Sequence, residues 1–242
     1  MSNIDISLII PAYNEVASIA RTIGEARAYF ARRQLTCEII VAADGDDGTR
    51  ELVADMAKAD SLLVGLGSAE RRGKGYGVRQ AVARASGVII GFTDADDKTP
   101  IGEFDKVEPH LRAGAKVVIG SRRMRDSHIE QAQRFYRRMG SLGFAAFMHL
   151  VVGLRDISDT QCGFKFFQGA VARDLFARQV IDGYMFDVEI LYLARRAGYT
   201  IVQVPVHWRD DGDSRLAVWS GNFRSALDIF RIRLRGVPRT KK

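Results

Sequence analysis

The segment TDADD contains the residues whose types and spacing most directly indicate chemistry. Asp94 and Asp96 follow an apolar run and are separated by the small residue Ala95. Carboxylates at positions i and i+2 can hold a hard divalent cation, while diphosphate oxygens fill the remaining coordination positions. The same aspartates could instead form the capping turn of a helix predicted near Ile101, since aspartate is common at such turns. The spacing alone leaves both interpretations open.

Basic residues in other segments could bind phosphate groups. The segment ERRGKGYG places Lys74 among glycines that allow a ligand to approach the backbone closely, although it lacks the spacing of a Walker A loop. Arg122 follows an apolar run. Arg137 and Ser141 are four residues apart, so on a helix they would share a face and could bind one phosphate. Each of these segments could equally be a solvated basic surface.

The elements that position these residues are predicted from alternating apolar and amphipathic stretches. The predicted strands are 4–10, 37–43, 61–66, 87–93 and 115–120, and the predicted helices between them are 14–33, 48–59 and 75–85. Asn14 is the predicted N-cap of the first helix. The alternation predicts an α/β fold with a mostly parallel sheet. Because ligands bind outside the carboxyl ends of such strands, we expect the chemistry at that edge.

The second half of the chain has fewer predicted strands. We expect a long helix at 128–151, a helix near 185–197, a strand at 200–208 and a final helix at about 216–235. The final helix has an apolar stripe formed by Leu216, Trp219, Phe223, Leu227, Phe230 and Leu234. A basic helix with such a stripe is typical of a membrane interface, but a helix that docks onto the protein core would have the same pattern. Both interpretations stay open.

The composition describes an ordinary globular protein of 242 residues, 47% of them hydrophobic, with a net charge of +7. The excess of basic residues favours anionic partners such as nucleic acid, anionic membranes or phosphorylated substrates. A nucleic-acid interface is not expected, because the bases lie at strand ends beside carboxylates rather than among exposed aromatics. Cys37 and Cys162 form no disulfide framework, which indicates a reducing compartment. We expect no signal peptide, and the apolar stretch 140–154 is too short to span a bilayer.

The order of the motifs resembles the inverting family-2 glycosyltransferases of GT-A fold, most closely the dolichyl-phosphate β-glucosyltransferase branch of the polyprenyl-phosphate glycosyltransferases. The resemblance extends from Ile6 to Arg235 through the motifs SLIIPAYNE, DGDDGT, GKG, TDAD, GSR, DTQCGFKFF, FDVEILYLARRAGY and VPVHW…GDSRL. DTQCGFK and MFDVEIL are specific for that branch. The resemblance implies one GT-A domain over 1–242, with a nucleotide-binding half (1–125), an acceptor and sugar half (126–215) and a basic amphipathic helix (216–235).

The resemblance also implies roles for individual residues. The residues that would contact the nucleotide sugar are Pro11, Tyr13, Glu15, Asp44, Lys74, Asp94, Ala95, Asp96, Ser214 and Arg215. The acceptor phosphate would be bound by Arg122, Arg137 and Ser141. Asp159, Gln161 and Cys162 would line the sugar side. A Mg²⁺ or Mn²⁺ ion would be held by Asp96, the better ligand, and by Asp94, and the residues closest to the chemistry would be Asp94, Asp96, Arg122 and Arg137.

Three features depart from the family pattern. Ala43 occupies a position where relatives have an aspartate, and the acidic loop is one residue shorter, so we predict that Asp44 takes over the contact near the base. Lys98 occupies the position of a glutamine metal ligand in mannosyl-transferring relatives, which argues against that sub-branch. Eukaryotic glucosyl enzymes have an N-terminal membrane anchor that we do not find here, so membrane binding is expected to depend on the final helix and on 140–154.

The function implied by the resemblance is inverting transfer of a hexosyl group from a nucleoside-diphosphate sugar, such as UDP-glucose, to a polyprenyl or dolichyl phosphate. We expect a cytoplasmic enzyme of cell-envelope glycan synthesis, peripherally associated with the inner face of the membrane, and a membrane protein could take the product onward. The oligomeric state is left open. UDP-N-acetylhexosamine and GDP-mannose stay open as donors. A soluble hydroxyl acceptor would require a carboxylate base, for which Asp159 and Asp187 are the candidates.

Overall fold

The computed structural model describes residues 4–127, 151–209 and 222–234, the last range without the side chains of 222–226. The predicted helix at 128–151 lies almost entirely outside these ranges. So do four of the predicted site residues, namely Arg137, Ser141, Ser214 and Arg215. Their predicted roles stay predictions.

Seven strands and seven α-helices follow one another in the described ranges. In chain order they are β1 (Ile6–Tyr13), α1 (Ile19–Arg32), β2 (Cys37–Asp44), α2 (Thr49–Ala57), β3 (Leu63–Leu66), α3 (Lys74–Arg84), β4 (Ile89–Phe92), α4 (Phe104–Arg112), β5 (Val117–Ser121), β6 (Lys165–Gln168), α5 (Gly169–Arg178), α6 (Phe186–Arg196), β7 (Ile201–Pro205) and α7 (Asn222–Leu234). A single 3₁₀ turn, Ile101–Glu103, precedes α4.

The strands form one sheet in the order β3-β2-β1-β4-β6-β5-β7. All pairs are parallel except those of β6, which runs antiparallel to both β4 and β5. The prediction of a mostly parallel α/β sheet is therefore confirmed. The strand β6 and the helix α5 that follows it were not predicted.

Side chains of the central strands alternate between two cores, one on each face of the sheet. Ile9 of β1 and Ile40 of β2 pack on one face with residues of α3, α5 and α6. Leu8, Ile10 and Ile39 pack on the other face with residues of α1 and α4. Because helices cover both faces, these strands are apolar throughout, which is why the sequence shows unbroken runs of Val, Ile and Leu.

The start of the first helix differs from the sequence prediction. The prediction that Asn14 caps the first helix is wrong, because α1 begins at Ile19 with Ser18 as its N-cap. Asn14 has a left-handed backbone (φ 54°), and its side-chain oxygen accepts a hydrogen bond from the backbone N–H of Asp46 at 3.2 Å. The physical reason is that this side chain joins the loop after β1 to the acidic loop after β2 instead of capping a helix.

The helices of the described ranges show no membrane span, since none is both long enough and apolar enough to cross a bilayer.

Candidate active site

The D-x-D loop leaves the carboxyl end of β4 and lies against the DTQCG segment. A Cβ atom at Gly163 would be 2.0 Å from an Asp94 carboxylate oxygen, so a side chain at this position would displace the Asp94 carboxylate. Asp94 is thereby placed beside the residues that precede β6. Two motifs that are about 65 residues apart in the sequence meet at one point of the sheet edge.

Lys74, at the start of α3, is the closest described cation to Asp94. Its Nζ donates a hydrogen bond to Asp94 Oδ1 at 2.5 Å and lies 5.9 Å from the ring centre of Phe186. Burial alone would lower the pKa of Lys74, but the charges of Asp94 and Asp187 outweigh it and raise that pKa. Lys74 therefore stays protonated beside the D-x-D loop, where it could pair with diphosphate oxygens.

Asp96 has the chemistry of a cation ligand. Its side chain is 38% exposed and its Oδ2 lies 3.5 Å from Lys98 Nζ. Burial, and then the neighbouring charge of Asp94, raise the pKa of Asp96. Two carboxylates that repel each other would both be stabilised by a bound divalent cation, so the pair fits Mg²⁺ or Mn²⁺.

The described residues supply few other ligands for such an ion. Within residues 4–127, 151–209 and 222–234, no group of three or more His, Cys, Asp or Glu side chains lies close enough together to bind a metal. Hard cations of this kind can be held by one or two carboxylates together with substrate phosphates. The site therefore fits an ion that shares its coordination with a diphosphate.

Arg122 and Asp159 form a two-pronged ion pair. Arg122 Nε and Nη2 donate to the two carboxylate oxygens of Asp159 at 2.7 and 2.9 Å, and the backbone N–H of Arg122 donates at 3.1 Å. Burial would raise the pKa of Asp159, but the Arg122 guanidinium outweighs it and lowers that pKa to about 2. The ring centre of Trp208 lies 5.4 Å from the guanidinium carbon of Arg122. Arg122 is therefore held in one orientation at the end of β5.

Lys165 and Asp187 form a second ion pair, which was not predicted from the sequence. Lys165 Nζ donates to Asp187 Oδ1 at 2.5 Å and to the backbone carbonyl of Cys162 at 2.7 Å. The Lys165 side chain has no exposed surface. The available signal was a lysine inside the apolar run CGFKFF, since lysine is almost never fully buried unless it is paired. The pair joins the DTQCGFK motif to the MFDVEIL motif.

The other two sugar-side candidates differ from Asp159 in their surroundings. Cys162 is buried, and that burial raises the pKa of its thiol to about 12, so it remains a packed thiol at neutral pH. Gln161 is exposed, and its backbone N–H donates to Asp159 Oδ1 at 3.3 Å. Of these two, Gln161 has a side chain that could reach a sugar hydroxyl.

On the predicted nucleotide side, the loop after β1 is joined to the acidic loop. Pro11 is buried within β1, whereas Tyr13, at the end of that strand, is 39% exposed. The backbone N–H of Glu15 donates to Thr49 Oγ1 at 3.0 Å. The Arg71 guanidinium stacks 4.2 Å from the ring centre of Tyr13. Tyr13 and Arg71 therefore form a stacked pair at the end of β1.

Asp44 organises the loop that leads to α3. Its carboxylate accepts hydrogen bonds from the backbone N–H groups of Ser68, Arg72 and Gly73, at 3.4, 2.7 and 3.4 Å. Asp44 is buried. The predicted contact of Asp44 with the nucleoside stays a prediction, and the described role of this carboxylate is to fix the loop that precedes Lys74.

Comparisons with known proteins identify the class. Residues 7–176 match the family model for glycosyl transferase family 2, so the chain belongs to this family and is a glycosyltransferase of GT-A fold. Its relatives include dolichyl-phosphate beta-glucosyltransferases from Trichomonas vaginalis, 33% identical over 96% of this chain and 71% of the relative, and from Dictyostelium discoideum, 33% identical over 97% and 76%. The human dolichyl-phosphate beta-glucosyltransferase is 29% identical over 95% of this chain and 75% of its own length.

Solved structures support the same fold. Mannosyl-3-phosphoglycerate synthase from Rubrobacter xylanophilus superposes with a TM-score of 0.68 at 20% identity, covering 96% of this chain and 74% of that one. Glucosyl-3-phosphoglycerate synthase from Mycobacterium tuberculosis, in complex with Mn²⁺ and UDP-glucose, superposes with a TM-score of 0.67 at 21% identity, covering 98% and 80%. At these identities the likeness establishes the fold alone.

Proposed function

We propose that this protein transfers a hexosyl group from a UDP-sugar, with UDP-glucose as the first candidate, to dolichyl phosphate or another polyprenyl phosphate, with inversion at the anomeric carbon. The relatives named above are dolichyl-phosphate beta-glucosyltransferases and match most of the chain. One fold relative was crystallised with Mn²⁺ and UDP-glucose. These findings support the proposal. The most direct support comes from the ion pairs that hold the carboxylates of Asp159 and Asp187.

Asp159 and Asp187, the two candidate bases named from the sequence, are each paired with a cation. Asp159 is bound by Arg122, and Asp187 is bound by Lys165, with side-chain exposures of 4% and 5% for the two acids. A hydroxyl acceptor needs a base that can take its proton. An acceptor phosphate is already an anion near neutral pH and needs none. The charge state of the site therefore favours a phosphate acceptor over a hydroxyl acceptor.

The task left to the protein is to position two anions and to offset their charge. Lys74 would pair with the donor diphosphate, and Arg122, oriented by its two side-chain hydrogen bonds to Asp159, would bind the acceptor phosphate. Asp96, with Asp94, would hold Mg²⁺ or Mn²⁺, and such an ion would offset the charge of the departing diphosphate. Outside the described ranges, Arg137 and Ser141 remain predicted acceptor ligands, and Ser214 and Arg215 remain predicted donor ligands.

The outer face of α7 supports a peripheral association with a membrane. Ile229 and Ile232 are buried, whereas Leu227, Phe230 and Leu234 are 45%, 47% and 83% exposed. Docking onto the protein therefore uses a different face of the helix from the apolar stripe that the sequence predicted. An exposed apolar stripe on a basic helix fits the surface of an anionic bilayer. We propose that this stripe contacts the cytoplasmic face of the membrane that contains the acceptor.

A donor panel tests the function. The full chain is incubated with Mn²⁺, dolichyl phosphate and one labelled donor at a time (UDP-glucose, UDP-N-acetylglucosamine or GDP-mannose), and the lipid is extracted. We expect label from UDP-glucose in the lipid fraction, and none with Asp96→Asn or with excess chelator. Label from GDP-mannose alone would contradict the proposed donor. Transfer that persists undiminished in chelator would contradict the proposed role of Asp96.

A further inference from the structure

Each aspartate of the D-x-D loop has a lysine ammonium beside it. Lys74 Nζ lies 2.5 Å from Asp94 Oδ1, and Lys98 Nζ lies 3.5 Å from Asp96 Oδ2. Two carboxylates and two ammonium groups have no net formal charge. A divalent cation that approaches Asp96 therefore meets a positive charge that is already in place, and its attraction to this site is weakened.

Lys98 is held next to Asp96 by its surroundings. Its side chain is 11% exposed, and its backbone N–H donates to Asp96 Oδ1 at 3.3 Å. Its backbone carbonyl accepts a hydrogen bond from the N–H of Arg209 at 2.9 Å, which joins the D-x-D loop to the segment after β7. The ring centre of Trp208 lies 5.9 Å from the ammonium, within the range of a cation–π contact. The ammonium therefore has a defined place in the site.

A diphosphate would change this balance. It brings at least two negative charges, which attract both a divalent ion and the two ammonium groups. Phosphate oxygens would also supply the ligands that the described residues do not, since no cluster of three or more acidic, His or Cys side chains is found among them. Binding of the ion and binding of the diphosphate are therefore expected to favour each other.

We propose that Lys98 is a resident counter-ion of Asp96 that makes binding of Mn²⁺ depend on the nucleotide. In the donor-free enzyme, the ammonium competes with Mn²⁺ for Asp96. When the diphosphate binds, the ammonium pairs with phosphate oxygens and leaves Asp96 to the ion. This proposal rests on the proposed function for the role of Asp96 as a metal ligand, and it does not depend on the identity of the sugar or of the acceptor.

The first test is a Mn²⁺ titration of the wild-type chain, with free Mn²⁺ followed by electron paramagnetic resonance, in the absence and presence of UDP. We expect weak binding of Mn²⁺ alone and binding at least about tenfold tighter with UDP. By linkage, Mn²⁺ must tighten the binding of UDP by the same factor. Equal Mn²⁺ affinities with and without UDP would overturn the proposal, whatever any variant does.

The second test removes the charge. Lys98→Met keeps an unbranched side chain only one atom shorter and offers no hard ligand. This variant should bind Mn²⁺ alone about tenfold more tightly or better. Lys98→Arg keeps the charge and should behave as wild type. Lys58→Met is a matched control, because Lys58 is an exposed lysine next to Asp55 on α2, and the same charge change there should leave Mn²⁺ affinity unaltered.

Thermal unfolding shows whether the Lys98→Met variant is folded. If it is folded and its affinity for Mn²⁺ alone is unchanged or weaker, the proposal is overturned. The readout needs neither sugar transfer nor lipid. If the donor panel showed no product while the titrations behaved as expected, the proposed reaction would fail and the role of Lys98 would stand.

Discussion

At Arg122, one guanidinium makes two hydrogen bonds to the buried carboxylate of Asp159. The pair fixes the plane of the guanidinium, as a phosphate ligand requires, and removes Asp159 as a base. A residue assigned to the acceptor and a residue assigned to the sugar are thus parts of one unit. We expect a substitution at either residue to change the position of the other.

This unit predicts a specific acid sensitivity. The pKa of Asp159 is about 2 in the folded protein, below its usual value of 3.8. A lowered pKa stabilises the fold above the unfolded value, and that contribution, about 2 kcal/mol, is lost as the pH falls from about 4 to about 2. In Asp159→Asn the free energy of unfolding should therefore fall less steeply over this range than in the wild type.

Urea unfolding at a series of pH values from 2 to 6 measures this slope. Asp159→Asn is expected to be less stable at pH 6 because it leaves the half-buried guanidinium of Arg122 without its carboxylate partner. The test is therefore the pH dependence of the free energy of unfolding and not its absolute value. Asp126→Asn is the control, because Asp126 is an exposed aspartate in the loop after Arg122. Parallel pH profiles for wild type and Asp159→Asn would show that the pair does not contribute as described.

At the scale of the elements, α7 combines two faces with different partners. Ile229 and Ile232 are buried against the protein, while Leu227, Phe230 and Leu234 remain exposed. Arg231 and Arg233 lie in the last turn of the helix. One helix therefore has a docking face and an exposed apolar stripe, and we expect a lipid surface to contact the stripe.

This arrangement predicts that Leu227→Ser/Phe230→Ser reduces binding to vesicles of anionic lipid by about tenfold or more, because two apolar side chains are lost from the contact. Sedimentation with the vesicles measures the bound fraction. Val88→Ser is the control, since Val88 is 56% exposed and precedes β4, at the opposite end of the strand from the D-x-D loop. Equal losses of binding in the double variant and in the control would contradict the assignment of α7.

The elements also show how much of the fold could be predicted. Strands β1 to β5 were predicted because their residues are apolar on both faces and rich in Val and Ile. The strand β6 was missed because a charged residue, the buried Lys165, interrupts its apolar run. The pattern of α7 could not identify the docking face, because two apolar stripes are present and only packing distinguishes them.

The site, like the fold, could be predicted only where local sequence patterns determine it. The D-x-D pair, Lys74 and Arg122 could be predicted as candidates for one site because strand ends of a parallel sheet share an edge. The pairing of Arg122 with Asp159 and of Lys165 with Asp187 depends on contacts across 37 and 22 residues, which no local pattern contains. Asn14 was assigned to a helix cap because its interaction with the acidic loop is likewise a contact between distant segments.

At the scale of the whole molecule, the fold brings positive charge to the place where two anionic substrates would meet. The chain has a net charge of +7, yet the site edge contains aspartates as well as Lys74, Lys98 and Arg122. Three aspartates of this edge, Asp94, Asp96 and Asp159, are each paired with a cation. The molecule is therefore suited to an acceptor that arrives already ionised.

The most direct measurement of this central claim compares two acceptors that differ in one group. Dolichyl phosphate and dolichol, presented in the same vesicles with labelled UDP-glucose and Mn²⁺, are assayed for glycosylated lipid between pH 6 and 8. We predict transfer to dolichyl phosphate at all these pH values and no transfer to dolichol. Comparable transfer to dolichol would contradict the account, because a base would then have to take the proton of the hydroxyl group, and the candidates Asp159 and Asp187 are held in ion pairs.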